Sequence, residues 1–140
     1  MSAQPDLTRL LASMPFAAAT GVVLERATPG EVTGSLAWAP ERCTAGGTMH
    51  GGALMTLADS VGAVCAYLNL PPGASGTATT SSTTSFLRAL RRGSAHATAR
   101  PLHVGRTSVV LVVEVVDDAG ALVAHVTQSQ VVLPATGQRA

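Results

Sequence analysis

Aromatic residues are scarce in this chain, at 3% of 140 residues. Proteins that grip single-stranded nucleic acid stack bases on aromatic side chains, and there is almost no material for that here. Charge is scarce as well. Charged residues make up 12% and the formal net charge is +1, which argues against both a polybasic nucleic-acid grip and an acidic disordered tail. There are two cysteines, Cys43 and Cys65, with no CxxC pair and no clustered Cys/His spacing. Two free thiols are the default and no metal site is expected. Cys43 lies in a loop seven residues before His50, which is weak support for a Cys–His nucleophile. Cys65 sits in an apolar stretch and reads as packing.

Long apolar runs are missing too. No residue from Ser60 to Leu87 carries a formal charge, but Pro71-Pro72 and a Thr/Ser/Gly-rich stretch interrupt that span. The longest apolar run, Val61 to Leu68, is far short of the roughly 20 residues that cross a bilayer. Met1 to Asp6 lacks the basic start and apolar core of a signal peptide. The expectation is a cytoplasmic protein with neither a membrane nor a nucleic-acid partner. What is present is one domain's length, read as a single domain over 1–140 with flexible tails at 1–5 and 134–140. Hydrophobic residues at 46% and so little charge predict apolar surface buried in an oligomer.

Periodicity sets the elements. Asp6 to Met14 reads as a short helix capped by Asp6. Gly21 to Ala27 and Glu31 to Trp38 read as strands joined by the turn Thr28-Pro29-Gly30. Pro40 to Met49 reads as a loop. From His50 to Asn69, Leu54, Leu57, Val61, Val64 and Leu68 recur at helical spacing. Strands are predicted at Thr77–Leu87, Ser94–Val104, Thr107–Val116 and Leu122–Leu133. The order predicts an α+β fold in which an antiparallel sheet of five to six strands wraps around one long helix, apolar nearly all round.

Asp59 is the one acid between His50 and Asn69, a stretch with no Lys or Arg. On a helical wheel it falls opposite the leucine stripe, on a face shared with Met55, Gly62, Ala63 and Ala66. Burying a lone carboxylate is costly, so it needs a reason. Catalysis is one reason and a hydrogen-bonded structural Asp is the other. Gly51-Gly52 at the helix start offers N–H groups without helical partners, suited to a developing oxyanion. Equally, the pair can serve only to let the loop turn tightly into the helix. His50 either orients that loop or acts as an acid/base, and the loop-orienting role is favoured.

The segment His50-Gly51-Gly52 with Leu57-Ala58-Asp59, then Phe86-Leu87-Arg88, His103-Val104-Gly105-Arg106-Thr107 and Gly120-Ala121-Leu122-Val123-Ala124, resembles the hot-dog thioesterases of the phenylacetate-degradation (PaaI-like) group. The acid stands seven residues after the second glycine, and the likeness runs from Gly21 to Val132. The resemblance implies an acyl-CoA thioesterase, with coenzyme A as part of the substrate and no cofactor or metal. It implies that Asp59 attacks the thioester or activates water, that the Gly51 N–H polarises the carbonyl, and that Thr79 lies near the attacking water. Gly52 belongs to the same substrate-binding loop. Arg88, Arg91, Arg92 and Arg106 become candidates for the coenzyme A phosphates. The group's active sites lie between subunits of a dimer, and dimers commonly pair into tetramers.

Two positions depart from the group's pattern. Thr44 stands where relatives often carry Asn or Gln, six residues before the histidine, and Ala89 replaces a proline. Thr donates one hydrogen bond but reaches less far. Asp rather than Glu at position 59 leans toward phenylacetyl-type substrates. The competing readings are a hot-dog hydratase or dehydratase of acyl thioesters, and a non-catalytic acyl-CoA-binding module.

Overall fold

In the computed structural model, which describes residues 3–135, the chain opens with two short helices rather than the one predicted. Asp6 caps the first, accepting the Arg9 N–H at 3.2 Å, and α1 runs Leu7–Ala12. It cannot continue to Met14, because a residue before proline is pushed out of the helical region. Pro15 then starts α2, Pro15–Thr20, and Gly21 ends it with a φ of 102°, which favours glycine.

Strand β1 (Val23–Thr28) turns back into β2 (Glu31–Ala37). The loop that follows holds two single turns of 3-10 helix, Pro40–Arg42 and Ala45–Gly47. Arg42 ties this loop to the end of α2, donating to the Thr20 carbonyl at 2.6 Å. The long helix α3 covers Gly51–Leu68. Four strands complete the chain: β3 (Ala74–Phe86), β4 (Ser94–Val104), β5 (Ser108–Val116) and β6 (Leu122–Pro134). Pro134, expected to begin a flexible tail, instead pairs with Ala74, and its carbonyl accepts from Ser75 Oγ at 2.7 Å. The rest of that expected tail, residues 136–140, and residues 1 and 2 of the other lie outside the described residues.

The six strands form one antiparallel sheet in the order β1-β2-β4-β5-β6-β3, and α3 touches all of them. This is the predicted sheet wrapped around one long helix. Leu54, Leu57, Val61 and Val64 point into it and are buried, each contributing about 1.5–3 kcal/mol of hydrophobic burial. The sheet lets the helix approach closely because β4 faces it with Ala95, Ala97 and Ala99. At Gly34 of β2 a β-carbon would stand 2.9 Å from Val61 Cγ2, so the contact needs glycine. The helix is not enclosed all round. Met55, Asp59 and Tyr67 are exposed on its outer side, next to the edge strand β3.

Candidate active site

Asp59 projects from that outer side of α3, so the expectation of a buried carboxylate is corrected: the residue is exposed. One of its oxygens is nevertheless firmly held. Oδ1 accepts from Thr79 Oγ1 at 3.0 Å and from Gln128 Nε2 at 2.5 Å. Behind them, Gln130 Nε2 donates to Thr79 Oγ1 at 2.7 Å and to Gln128 Oε1 at 2.9 Å. Oδ2 has no hydrogen-bond partner among the described residues.

Backbone geometry places this cluster. In β6 successive side chains alternate, so Val126, Gln128, Gln130 and Val132 share the face toward α3. Gln128 and Gln130 are 0% and 1% exposed, and buried amides of this kind are tolerated when they are hydrogen-bonded. Strand β3 lies beside β6 with Thr79 opposite Gln130 and Ser82 opposite Gln128, and an irregularity falls between Thr79 and Ser81. The extra residue switches the inward-facing positions from odd to even numbers. The sequence reading named Thr79 but missed both glutamines. The signal was there, in polar residues at two core-facing positions of an otherwise apolar strand.

Asp59 opens onto a cleft of about 480 Å³. Its walls are mostly apolar, from Met14, Phe16 and Ala17 at one side and Met55 and Ala63 of α3 at the other, with Ser82 of β3 completing them. Helix α2, absent from the sequence reading, supplies the first wall. Phe16 is 74% exposed, a large aromatic surface lining the same cleft as the acid.

The histidine and the two glycines have separate roles. His50 is the N-cap of α3, its Nδ1 accepting the Gly52 N–H at 2.8 Å. This is the loop-orienting arrangement, and it removes Gly52 N–H from the expected set of free donors. A β-carbon on Gly52 would stand 2.9 Å from that Nδ1. The Gly51 N–H has no partner among the described residues. A β-carbon on Gly51 would stand 3.1 Å from the Phe86 ring, so a larger residue there requires the ring to shift slightly.

Within one chain these groups do not converge on Asp59. Gly51 and Thr44 line a groove of about 470 Å³ with Arg88, whereas His50, Gly52 and Cys43 line another of about 490 Å³. At 1.5 Å per residue, the helix separates positions 51 and 59 by about 12 Å along its axis. Thr44 is exposed, and its N–H donates to the Thr48 carbonyl at 2.9 Å. Arg88, Arg91 and Arg92 line a further groove with Asp117 and Asp118. Arg106 does not join them, because it follows the far end of β4, a strand's length of roughly 30 Å away. The four arginines therefore form two separate groups in a single chain.

Cys43 Sγ lies 3.3 Å from the Ala39 carbonyl rather than on His50. Cys65 is buried, and burial pushes its thiol up to about 11. No group of three His, Cys, Asp or Glu side chains positioned to share a metal ion occurs among the described residues.

The sequence profile of the Thioesterase superfamily matches residues 46–124. The chain is 27% identical over 128 residues to a candidate esterase of Mycobacterium tuberculosis, with 89% of this chain and 91% of the relative covered. Among solved structures, a point mutant of a thioesterase from Pseudomonas aeruginosa superposes with a TM-score of 0.87 at 28% identity, covering 95% of this chain and 97% of that one. A point mutant of the phenylacetic acid degradation protein PaaI from Thermus thermophilus gives 0.76 at 29% identity, covering 84% and 97%.

Proposed function

Because the chain belongs to the Thioesterase superfamily, with the hot-dog fold and PaaI-like relatives, we propose that this thioester hydrolase acts on a small acyl-CoA through Asp59. The observation that carries this reading is the asymmetry of the Asp59 carboxylate. Oδ1 is held by two donors while Oδ2 has none, beside a mostly apolar cleft. A carboxylate fixed at one oxygen presents the other in a defined direction, which is what a nucleophile or general base requires.

In the general-base form, water attacks the thioester carbonyl carbon and gives a proton to Oδ2. The C–S bond then breaks, and the departing thiolate of coenzyme A takes up that proton. In the nucleophilic form, Oδ2 itself attacks and the thiolate leaves. Water then adds to the acyl carbon of the acyl–Asp59 anhydride, releasing the free acid and the Asp59 carboxylate, and the thiolate takes up the water's other proton. Either form places negative charge on the carbonyl oxygen. The unpartnered Gly51 N–H at the start of α3 is the donor suited to it.

Gly51 lies too far along the helix to serve the Asp59 of its own chain, so the proposed site is composite. Asp59 works with Gly51 of the partner subunit in a dimer, and dimers pair into a tetramer. The open side of α3, with Met55 and Tyr67 exposed, gives such an assembly apolar surface to cover. His50 holds the loop that carries Gly51. Arg88, Arg91 and Arg92 are proposed to meet the coenzyme A phosphates, with Arg106 contributing from another position. No cofactor is required, because water, a carboxylate and an oxyanion donor suffice. The proposed setting is the cytoplasm. The apolar walls given by Phe16 and Met55 favour a small acyl group of the aromatic, phenylacetyl type.

A hydrolysis panel of phenylacetyl-, hydroxyphenylacetyl-, benzoyl- and straight-chain acyl-CoAs tests this, with crotonyl-CoA hydration assayed alongside. Turnover of the small aromatic thioesters is expected. Crotonyl-CoA hydration without any thioester hydrolysis would replace this reading with the hydratase one.

A further inference from the structure

The hydrogen bonds around Asp59 have a direction, and the direction starts at Gln130. Its Nε2 donates to Gln128 Oε1 and to Thr79 Oγ1. With its carbonyl engaged, Gln128 has only its NH₂ to turn toward Asp59. With its oxygen accepting from Gln130, Thr79 has its hydroxyl proton to turn the same way. Both reach the same atom, Oδ1. Oδ1 is thus an acceptor of two hydrogen bonds. Rotating the carboxylate to exchange its oxygens would break both bonds.

We propose that Gln128 is a positioning residue for hydrolysis: held by Gln130 and helped by Thr79, it locks Oδ1 of Asp59 so that Oδ2 is the oxygen that acts. This rests on the reading of Asp59 as the acting carboxylate. The bland alternative is a pair of core amides that satisfy one another and merely hold the sheet together. The two differ in what they predict for the reaction. A structural pair affects folding, whereas a positioning pair changes turnover and its pH dependence in a folded enzyme.

Among the described residues of one chain, the surroundings of Asp59 are otherwise uncharged. Apart from Asp59, no titratable group lines the cleft, whose walls come from α2, α3 and β3. The groups facing the carboxylate from β3 and β6 are Thr79, Ser82, Gln128 and Gln130, all neutral. The charged residues of α1, Asp6 and Arg9, line the adjoining groove instead.

Gln128→Met and Gln128→Glu test the proposal, beside wild type and Asp59→Asn, with melting temperature, kcat, KM and the pH profile measured for each. Gln128→Met removes the donor at similar volume. The expected result is a fall in kcat on the order of 10- to 100-fold, the scale of a hydrogen bond to a charged group, with KM nearly unchanged. Gln128→Glu keeps the acceptor for Gln130 and donates to Oδ1 only while protonated. It is therefore expected to work at acidic pH and to lose turnover as the introduced carboxyl gives up its proton and turns a like charge toward Asp59. Folded Gln128 variants with wild-type kcat and pH profile, beside an inactive Asp59→Asn, would overturn the positioning role alone. An active Asp59→Asn enzyme would overturn the reading beneath it. Should neither Gln128 variant fold, Thr79→Val on the exposed edge strand decides: lower kcat with KM nearly unchanged supports the lock, and an unchanged kcat overturns it.

Discussion

Gly62 of α3 makes room for Gln128 of β6: a β-carbon at position 62 would stand 2.5 Å from Gln128 Oε1 and 3.4 Å from Leu111 Cδ1. The helix thus rests on the strand at the one residue that lets a buried amide pass beneath it and reach Asp59. Replacing Gly62 with Ala would gain up to about 1 kcal/mol in helix propensity. Crowding a packed core costs about 1–3 kcal/mol, and here the crowded atom is tethered by Gln130. Gly62→Ala is therefore expected to lower both the melting temperature and kcat. An alanine variant that gains stability and keeps full turnover would show that the amide has room to move.

Asp59→Asn separates catalysis from structure. The Asn carbonyl oxygen can still accept from Thr79 and Gln128, so the melting temperature should hold or rise. The charge is gone, and kcat should fall by at least about 10²-fold, the scale of a positioned base. Impaired folding with normal turnover per folded molecule would instead assign Asp59 a structural role.

His50→Ala removes an N-cap from a helix that begins with two glycines. The expected loss is about 0.5–2 kcal/mol, read as a lower melting temperature. Turnover should fall less than in Asp59→Asn, with the pH dependence of kcat largely unchanged. His50→Asn, which restores a capping acceptor, should recover most of the stability. A change in the pH profile of the alanine variant would point to an acid/base role.

The thiols should differ sharply. Cys65 has its proton affinity raised by burial, to about 11 against an ordinary 9.0. A group with a raised value in the folded state contributes stability that is complete below its unfolded value. That contribution is lost as pH rises from about 9 through 11, at up to about 1.4 kcal/mol per pH unit. At pH 8, Ellman's reagent should titrate the partly exposed Cys43 in the native protein and reach the buried Cys65 only after unfolding. Two thiols reacting equally fast in the native state would contradict this.

The sequence by itself determined the elements that carry a period. The leucine stripe from Leu54 to Leu68 specified α3, and the alternating or β-branched runs specified five of the strands. Asp59 stood out because it was the lone charge on that helix, and the motif beginning His50-Gly51-Gly52 marked the loop. Helix α2 was not legible, since its six residues are too few for a period and its signals were only Pro15 at the start and Gly21 at the end. Strand β3, an unbroken mixture of Thr and Ser in its middle, gave no alternation from which to read a face or an extra residue.

Only the tertiary structure decided what surrounds Asp59. Gln128 is 69 residues away in sequence and reaches the carboxylate because β6 crosses beneath α3 at Gly62. Which oxygen is held, and by which amide, depends on strand register and on the direction of hydrogen bonds. No local pattern encodes these, because register is set by pairing between strands far apart in the chain. The same holds for the distance between Asp59 and Gly51. Their spacing in sequence was plain from the start, but a rigid helix is what keeps them about 12 Å apart, beyond each other's reach in a single chain.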